Sequence, residues 1–333
     1  MRITLKNLAE KSGLSIGAIS RALRDDPLIA KKTREKIRAL AEEMNYIPDN
    51  LGRGLQSRHS RLIGLLISNI HDSFYAQTIQ GIGEMAAAHG YGIVIGITGD
   101  DPQKEIHQLK LFLEKRVDGI ILSNYQPQTV IYLDVLRRQL PLAVCDFETF
   151  SPEVPDVMVD DVGAMRMLTA HLLGLGHVRL AFCFLINSNA KKRYEAAACE
   201  AQKTGIAPPI CCSNQNDLES ALHSDASPTA VLGYSDFHAV QVKHVAERHG
   251  LIVPTQLSIT GFDNMDFAAW PEFALTTIDQ PKIELGSRAV ELIFEQINSK
   301  KQMMPVRFPP RLVVRNSTVP PQSSNQNQNP VRI

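Results

Sequence analysis

The chain has 333 residues, 44% of them hydrophobic and 21% charged, and its 35 lysines and arginines balance 35 aspartates and glutamates. This profile suits about two folded domains and excludes a disordered chain or a membrane-embedded one. No apolar run nears the ~20 residues that a bilayer span requires.

Splitting the charge by position exposes an asymmetry. Residues 1–60 carry 12 basic against 7 acidic side chains, and the remainder carries 23 against 28. A small basic module on an acidic body points to two different partners, with a phosphate backbone the natural one for the basic part. The first residues have no apolar stretch behind their charges, so a secretory leader is not expected and a cytoplasmic location is. Five cysteines (Cys145, Cys183, Cys199, Cys211 and Cys212) show no Cys-x-x-Cys spacing, which argues against a zinc site or a disulfide framework.

In chain order, Thr4 caps a short helix to about Lys11, with Leu5, Leu8 and Ala9 on one face, and Gly13 breaks it. Ser15 caps a second helix to Leu23, whose inward stripe is Ile19, Ala22 and Leu23. A third helix over 33–45 adds Ile37, Leu40, Ala41 and Met44. Two helices joined by a short glycine-containing turn read as a helix-turn-helix. The helical period then turns Ile16, Gly17, Ser20 and Arg21 outward, where the start of the second helix meets base edges in a major groove. Arg21 suits guanine or phosphate, Ser20 either, and Ile16 a thymine methyl, while Gly17 allows close backbone approach. Thr4, Ser15 and Arg24 complete the set of candidate DNA contacts in this module. In an ordinary helical hairpin, Ile16 would instead be a core residue.

The run from Thr4 to Leu23, and above all Gly13-Leu14-Ser15 followed by Ile19-Ser20-Arg21-Ala22-Leu23, resembles the headpiece of the lac repressor and purine repressor family of bacterial transcription regulators. The resemblance implies a headpiece over 1–48 and a hinge and linker over 49–60. In that hinge, residues 51–57 form a helix on operator DNA and Leu55 is the minor-groove wedge. Gly52 and Gly54 each disfavour that helix by about 1 kcal/mol relative to alanine, so the hinge is expected to order on DNA. Ile16 and Gly17 stand where the family has a polar pair.

From residue 62 the chain alternates apolar runs with amphipathic stretches. Strands are expected over 62–68, 91–98, 119–123, 142–147, 178–184, 230–235 and 257–262. Helices are expected over 74–89, 102–115, 129–139, 162–175, 190–204, 237–249 and 281–299, with Gly90, Gly176, Gly205 and Gly250 at helix ends. This reads as a doubly wound α/β body. Its length calls for two lobes, about 61–155 plus 281–316 and about 156–280, crossing within 151–161 and again within 275–281. The resemblance extends here and implies the fold of periplasmic sugar-binding proteins. Residues 317–333, rich in Ser, Asn, Gln and Pro, read as a disordered tail.

Ligands of such sheets sit beyond the carboxyl ends of strands. The candidates there are Phe74 and Tyr75 as stacking aromatics, Asp146, Asp236 and Asp263 as hydroxyl acceptors, and Gln280 at the lobe crossing. Arg193 matches the family's effector-contacting arginine. An aspartate such as Asp236 could equally serve only to cap the following helix. Three aspartates and one arginine beside an aromatic suit a neutral, hydroxyl-rich effector, a sugar or close derivative.

Enzyme readings are weaker. Gly81-x-Gly83-x-x-Ala86 fits a dinucleotide fingerprint formally, but it lies inside an expected helix and not directly after a strand. No phosphate-binding loop, serine elbow or zinc-protease motif is present. The expectation is therefore a homodimeric DNA-binding regulator, most consistent with a repressor, with operator DNA and a small effector as partners. No catalytic residue, cofactor, metal or membrane association is expected. A stand-alone sugar-binding protein or a sugar-metabolising enzyme is the alternative, and neither needs residues 1–58.

Overall fold

The computed structural model of the protein describes residues 3–46, 59–70, 73–184, 188–299 and 303–322. The chain divides into two compact units, Met1–Ser60 and Arg61–Ile333.

Among the described residues the first unit holds three helices, α1 (Leu5–Ser12), α2 (Ile16–Ala22) and α3 (Lys31–Glu43). Thr4 and Asn7 form a reciprocal capping box at the start of α1, and Gly13 ends it with φ 72°. The Ser15 hydroxyl accepts from the Ala18 N–H and so starts α2. Leu8, Ile19, Ala22, Ile37 and Ala41 form the buried core, with Leu23, Leu40 and Met44 packed against it. The expected hinge over 51–57, including Leu55, lies outside the described residues.

The second unit holds two parallel sheets. The first contains β1 (Leu62–Ile67), β2 (Gly92–Ile97), β3 (Gly119–Leu122), β4 (Leu142–Cys145), β5 (Asp156–Val159) and β11 (Val306–Phe308), in the order β11-β5-β4-β3-β1-β2. The second contains β6 (Leu180–Cys183), β7 (Ile210–Cys212), β8 (Ala230–Gly233) and β9 (Ser258–Thr260), in the order β7-β6-β8-β9. A separate antiparallel pair joins β10 (Thr277–Asp279) to β12 (Arg311–Val313). Every residue of β3, β4, β6 and β8 is buried, because helices cover both sheet faces. In chain order those helices are α4 (Ser73–Ala88), α5 (Pro102–Glu114), α6 (Val130–Leu136), α7 (Asp161–Gly174), α8 (Ser188–Lys203), α9 (Gln215–Leu222), α10 (Asp236–Arg248) and α11 (Lys282–Asn298).

Three features differ from the sequence reading. The stretch 151–161 is not merely a crossing, since residues Asp156–Val159 form a buried strand of the first sheet. Its flanking prolines and its acidic first residue hide it in the sequence. Asp156 is buried there because Arg307, 151 residues away, meets its carboxylate at 2.7 and 3.0 Å. The short strand β7 and helix α9 between 204 and 230 were also not foreseen. Finally, the expected disordered tail does not begin at 317. Ser317 and Thr318 are buried. The Ser317 hydroxyl donates to the Ile259 carbonyl at 2.6 Å, and the Val319 carbonyl lies 2.9 Å from His177 Nε2. Residues 323–333 lie outside the described residues.

Both sheets reverse strand order once, between β1 and β3 and between β6 and β8. Crevices for ligands form at such switch points, beyond the carboxyl ends of the strands. The chain passes between the lobes after β5, at Gln280–Pro281 after β10, and through Pro309–Pro310 between β11 and β12.

Candidate functional site

In the first unit, α2 presents a bare face. Ile16 is 48% exposed, and the side chain of Arg21 is 59% exposed, with Asp26 at 4.0 Å. A Cβ added to Gly17 would meet only the Ser15 hydroxyl, at 4.0 Å, so no neighbouring element covers that side of the helix. Arg24 folds back on Ser20, donating from Nε to its carbonyl at 3.0 Å and from Nη2 to its hydroxyl at 2.8 Å. Ser20 and Arg24 thus make one joint polar group beside Arg21. Thr4 and Ser15 serve as helix caps at helix starts, where phosphates bind, though the Thr4 N–H is itself taken by Asn7 Oδ1 at 2.9 Å.

In the second unit, Arg193 is the centre of the cleft. It is buried, one helical turn beyond Asn189 on the same face of α8. Its Nε and Nη2 both lie 2.8 Å from Asp161 Oδ1, and Nη1 donates to the Tyr234 carbonyl at 2.8 Å. The guanidinium carbon stands 3.5 Å from the ring centre of Phe262 and 4.9 Å from that of Tyr234. Burial alone would lower its pKa, but Asp161, then Tyr234, Asp263 and Asp146, raise it above the usual arginine value. The group is a permanent cation clamped between a carboxylate and two aromatic faces.

Asp146 follows β4 with φ 58°, and its carbonyl accepts from Asn189 Nδ2 at 3.4 Å, a contact between the two lobes. Lys192 and Glu148 form a second inter-lobe contact, an ion pair at the cleft rim. Asp263 has φ 111°, a conformation that costs a non-glycine residue about 1–3 kcal/mol. Gln280 Nε2 donates to its carboxylate at 2.7 Å, and buried Lys282 Nζ donates to its carbonyl at 2.5 Å. The cleft thus gathers Asp146, Arg193, Asp263 and Gln280 at the carboxyl ends of both sheets.

Two sequence candidates fall elsewhere. Phe74 is buried in the core of the first lobe, where its ring meets Tyr75 edge-on at 5.9 Å, so it packs the lobe and offers no open stacking face. Tyr75 is half-buried against the same core. Asp236 is fully buried, its oxygens taken by the Thr277 hydroxyl at 2.6 Å and the Met265 N–H at 2.7 Å. It ties β8 to β10 instead of facing a ligand, and burial pushes its pKa up to about 7. The helix cap is Ser235, whose hydroxyl accepts from His238 N.

Sequence reasoning missed Asp161, Asn189, His238 and Lys282. Asp161 ends the expected crossing over 151–161, and Asn189 lies one residue before the helix expected over 190–204. Its four-residue spacing from Arg193 was the available signal. His238 lies among the rings of Phe184, Tyr234 and Phe237, and burial followed by the Arg193 charge lowers its pKa to about 4, so it is neutral at pH 7.

The arrangement defines a DNA-binding regulator whose body is a two-lobed ligand clamp. Residues 4–49 match the family of bacterial regulatory proteins, lacI family, and residues 169–318 match the periplasmic binding protein-like domain. The chain is 28% identical over 310 residues to the HTH-type transcriptional repressor PurR of Aliivibrio salmonicida, covering 89% of this chain and 93% of that one. It is 29% identical over 311 residues to the HTH-type transcriptional repressor CytR of Escherichia coli strain K12, covering 89% and 90%. The crystal structure of the lac repressor dimer bound to operator and the anti-inducer ONPF superposes with a TM-score of 0.85 at 24% identity, over 96% of this chain and 100% of that one. The chain thus carries a lacI-family helix-turn-helix domain and a periplasmic-binding-protein-like domain. It is a transcription regulator and not an enzyme. Among the described residues no helix is long and apolar enough to cross a membrane.

Proposed function

We propose that this protein is a cytoplasmic, homodimeric repressor whose operator affinity is set by a small hydroxyl-rich effector, a sugar or sugar derivative, held between the lobes. Two headpieces would read half-sites of a near-palindromic operator through Ile16, Gly17, Ser20 and Arg21, while Leu55 of each hinge enters the minor groove. Relatives named as repressors support the sign of regulation.

The observation that carries the effector reading is the set of buried oxygens at the cleft. Among the described residues, Asp161 Oδ2, Asn189 Oδ1 and Gln280 Oε1 find no hydrogen-bond partner. Buried polar atoms are nearly always paired, so such oxygens on residues around the cleft support the reading that a ligand completes the bonding there. Effector binding there joins residues of both lobes and changes the angle between them. By linkage, the effector must alter DNA affinity by the factor by which DNA alters effector affinity.

The test is capture of genomic fragments by purified protein, repeated with a panel of sugars and derivatives. Retention of a few fragments sharing one palindrome, released by a single compound, is expected. Sequence-blind, salt-sensitive retention unaffected by every compound would contradict the reading.

A further inference from the structure

Cys183 and Cys212 stand opposite each other in adjacent parallel strands, at the last positions of β6 and β7. Directly paired residues of neighbouring strands point to the same face, and the strands lie about 4.7–4.9 Å apart. That spacing falls inside the Cα separation of about 4.4–6.8 Å that a disulfide spans. Both side chains are buried, in one core cluster with Phe184, Leu218 and Val242. The Cys183 thiol donates to the Cys212 sulfur, which raises the pKa of Cys183 and lowers that of Cys212. Both are free thiols. Their separation in the sequence hides the pair from any reading of cysteine spacing.

The place of the pair in the fold gives it access and consequence. β7 is the outer strand of its sheet and only three residues long, so local opening of that edge admits a small oxidant. Cys211, the residue before Cys212, is already exposed. A thiolate is the nucleophile in sulfur chemistry, and the hydrogen bond from Cys183 favours it at Cys212. On the other side, the Cys183 carbonyl accepts from the Tyr234 N–H, and the Tyr234 carbonyl accepts from Arg193 Nη1 at 2.8 Å. A change in the spacing of β6 and β7 therefore reaches the cleft arginine through these two hydrogen bonds.

We infer that Cys183 and Cys212 are a reversible dithiol–disulfide couple, a redox-sensitive site beneath Arg193 whose oxidant is a hydroperoxide. The Cys212 thiolate attacks one peroxide oxygen, the O–O bond breaks, and one water leaves, giving a sulfenic acid at Cys212. The Cys183 sulfur then attacks the Cys212 sulfur, which forms the S–S bond and releases a second water with the Cys183 proton. The pair is oxidised by two electrons and the peroxide reduced by two. A dithiol reductant returns both electrons and both protons. A disulfide of this kind in a reducing compartment is transient and serves sensing, not framework stability.

The experiment treats the full-length protein carrying Cys199→Ser and Cys211→Ser, both at exposed positions, with hydrogen peroxide. The protein is then unfolded and its remaining thiols are alkylated. Mass spectrometry is expected to show a product lighter by two hydrogens before alkylation, with two fewer alkyl groups than the untreated protein. Proteolysis should yield one linked peptide pair, joining Cys183 to Cys212, and dithiothreitol should restore alkylation at both. The wild-type protein should give the same linked peptides. Peroxide treatment in urea should instead scatter links among Cys145, Cys183 and Cys212, because the pairing comes from the fold. Full alkylation of Cys183 and Cys212 after peroxide would overturn the inference. So would added oxygen at Cys212 without a link, or a native product that shows no preference for this pair over the product in urea.

Discussion

Nε and Nη2 of Arg193 converge on one oxygen of Asp161, each at 2.8 Å, and the other oxygen has no partner among the described residues. The pair is buried from water on both sides, so its members depend on each other. Removing one charge of such a pair is strongly destabilising because the other is left uncompensated. Arg193→Ala is expected to lower the unfolding free energy of the body by about 3–5 kcal/mol. Arg193→Ala combined with Asp161→Ala should recover part of that loss. Urea unfolding of the three proteins measures the cycle, and strict additivity of the two single losses would show that the pair is not coupled.

Asp236 and His238 give the body opposing pH dependences. Burial raises the Asp236 pKa from 3.8 to about 7, so its contribution to stability is complete below about pH 4 and is lost as pH rises through 7. Burial, then Arg193, lowers the His238 pKa from 6.5 to about 4, so its contribution is present above 6.5 and is lost as pH falls through 4. Each effect is on the order of a few kcal/mol at full extent. The two groups therefore oppose each other across this window. His238→Gln should become less stable as pH rises from 4 to 7, and Asp236→Asn more stable. Denaturation series at several pH values check this, and three parallel profiles would contradict it.

Gly81 and Gly286 set the distance between α4 and α11. A Cβ on Gly81 would lie 2.0 Å from the Ile283 carbonyl oxygen, and one on Gly286 would lie 2.1 Å from that of Thr78. Both obstacles are backbone, which cannot swing away as a side chain can. Gly286→Ala and Gly81→Ala are each expected to destabilise the body by about 3 kcal/mol, the upper end for overpacking. An unchanged melting temperature for either would refute the close approach. Gly81, the first glycine of the apparent dinucleotide fingerprint, thus serves helix packing, whereas a Cβ on Gly83 would meet nothing within 4 Å.

On the headpiece, Ile16 is exposed and makes no demand on the core, so Ile16→Thr should leave stability within about 0.5 kcal/mol. A change at a base-reading position should alter which operators are preferred, with each mismatched base pair worth about 1–3 kcal/mol. Selection of binding sites from random duplexes would show the shift. An identical consensus for both proteins would remove Ile16 from the base-reading face.

The headpiece was almost wholly legible in the sequence, because caps, a helix-ending glycine and helical periodicity are local signals. Thr4, Gly13 and Ser15 occupy the roles that their chemistry suggests. The alternation of strands and helices in the body was legible for the same reason. What escaped depended on distant partners. Asp156 disguised β5 because its counter-charge, Arg307, comes 151 residues later. Asp236 looked like a ligand residue because nothing local reveals that Thr277 and Met265 enclose it. Phe74 sits at the expected strand end, yet the first lobe's core claims its ring. Asp161 and Asn189 became visible only when α7 and α8 were brought together around Arg193.

The central claim is that one unit reads DNA and the other senses a small molecule. The most direct test measures operator binding by fluorescence anisotropy, and effector binding by thermal shift, for the wild type, Arg21→Ala and Arg193→Ala. The account predicts that Arg21→Ala loses specific operator binding but keeps the effector response. Arg193→Ala, assayed at a temperature where its destabilised body is still folded, should keep specific operator binding and no longer respond to the effector. Loss of both activities in both variants would contradict it.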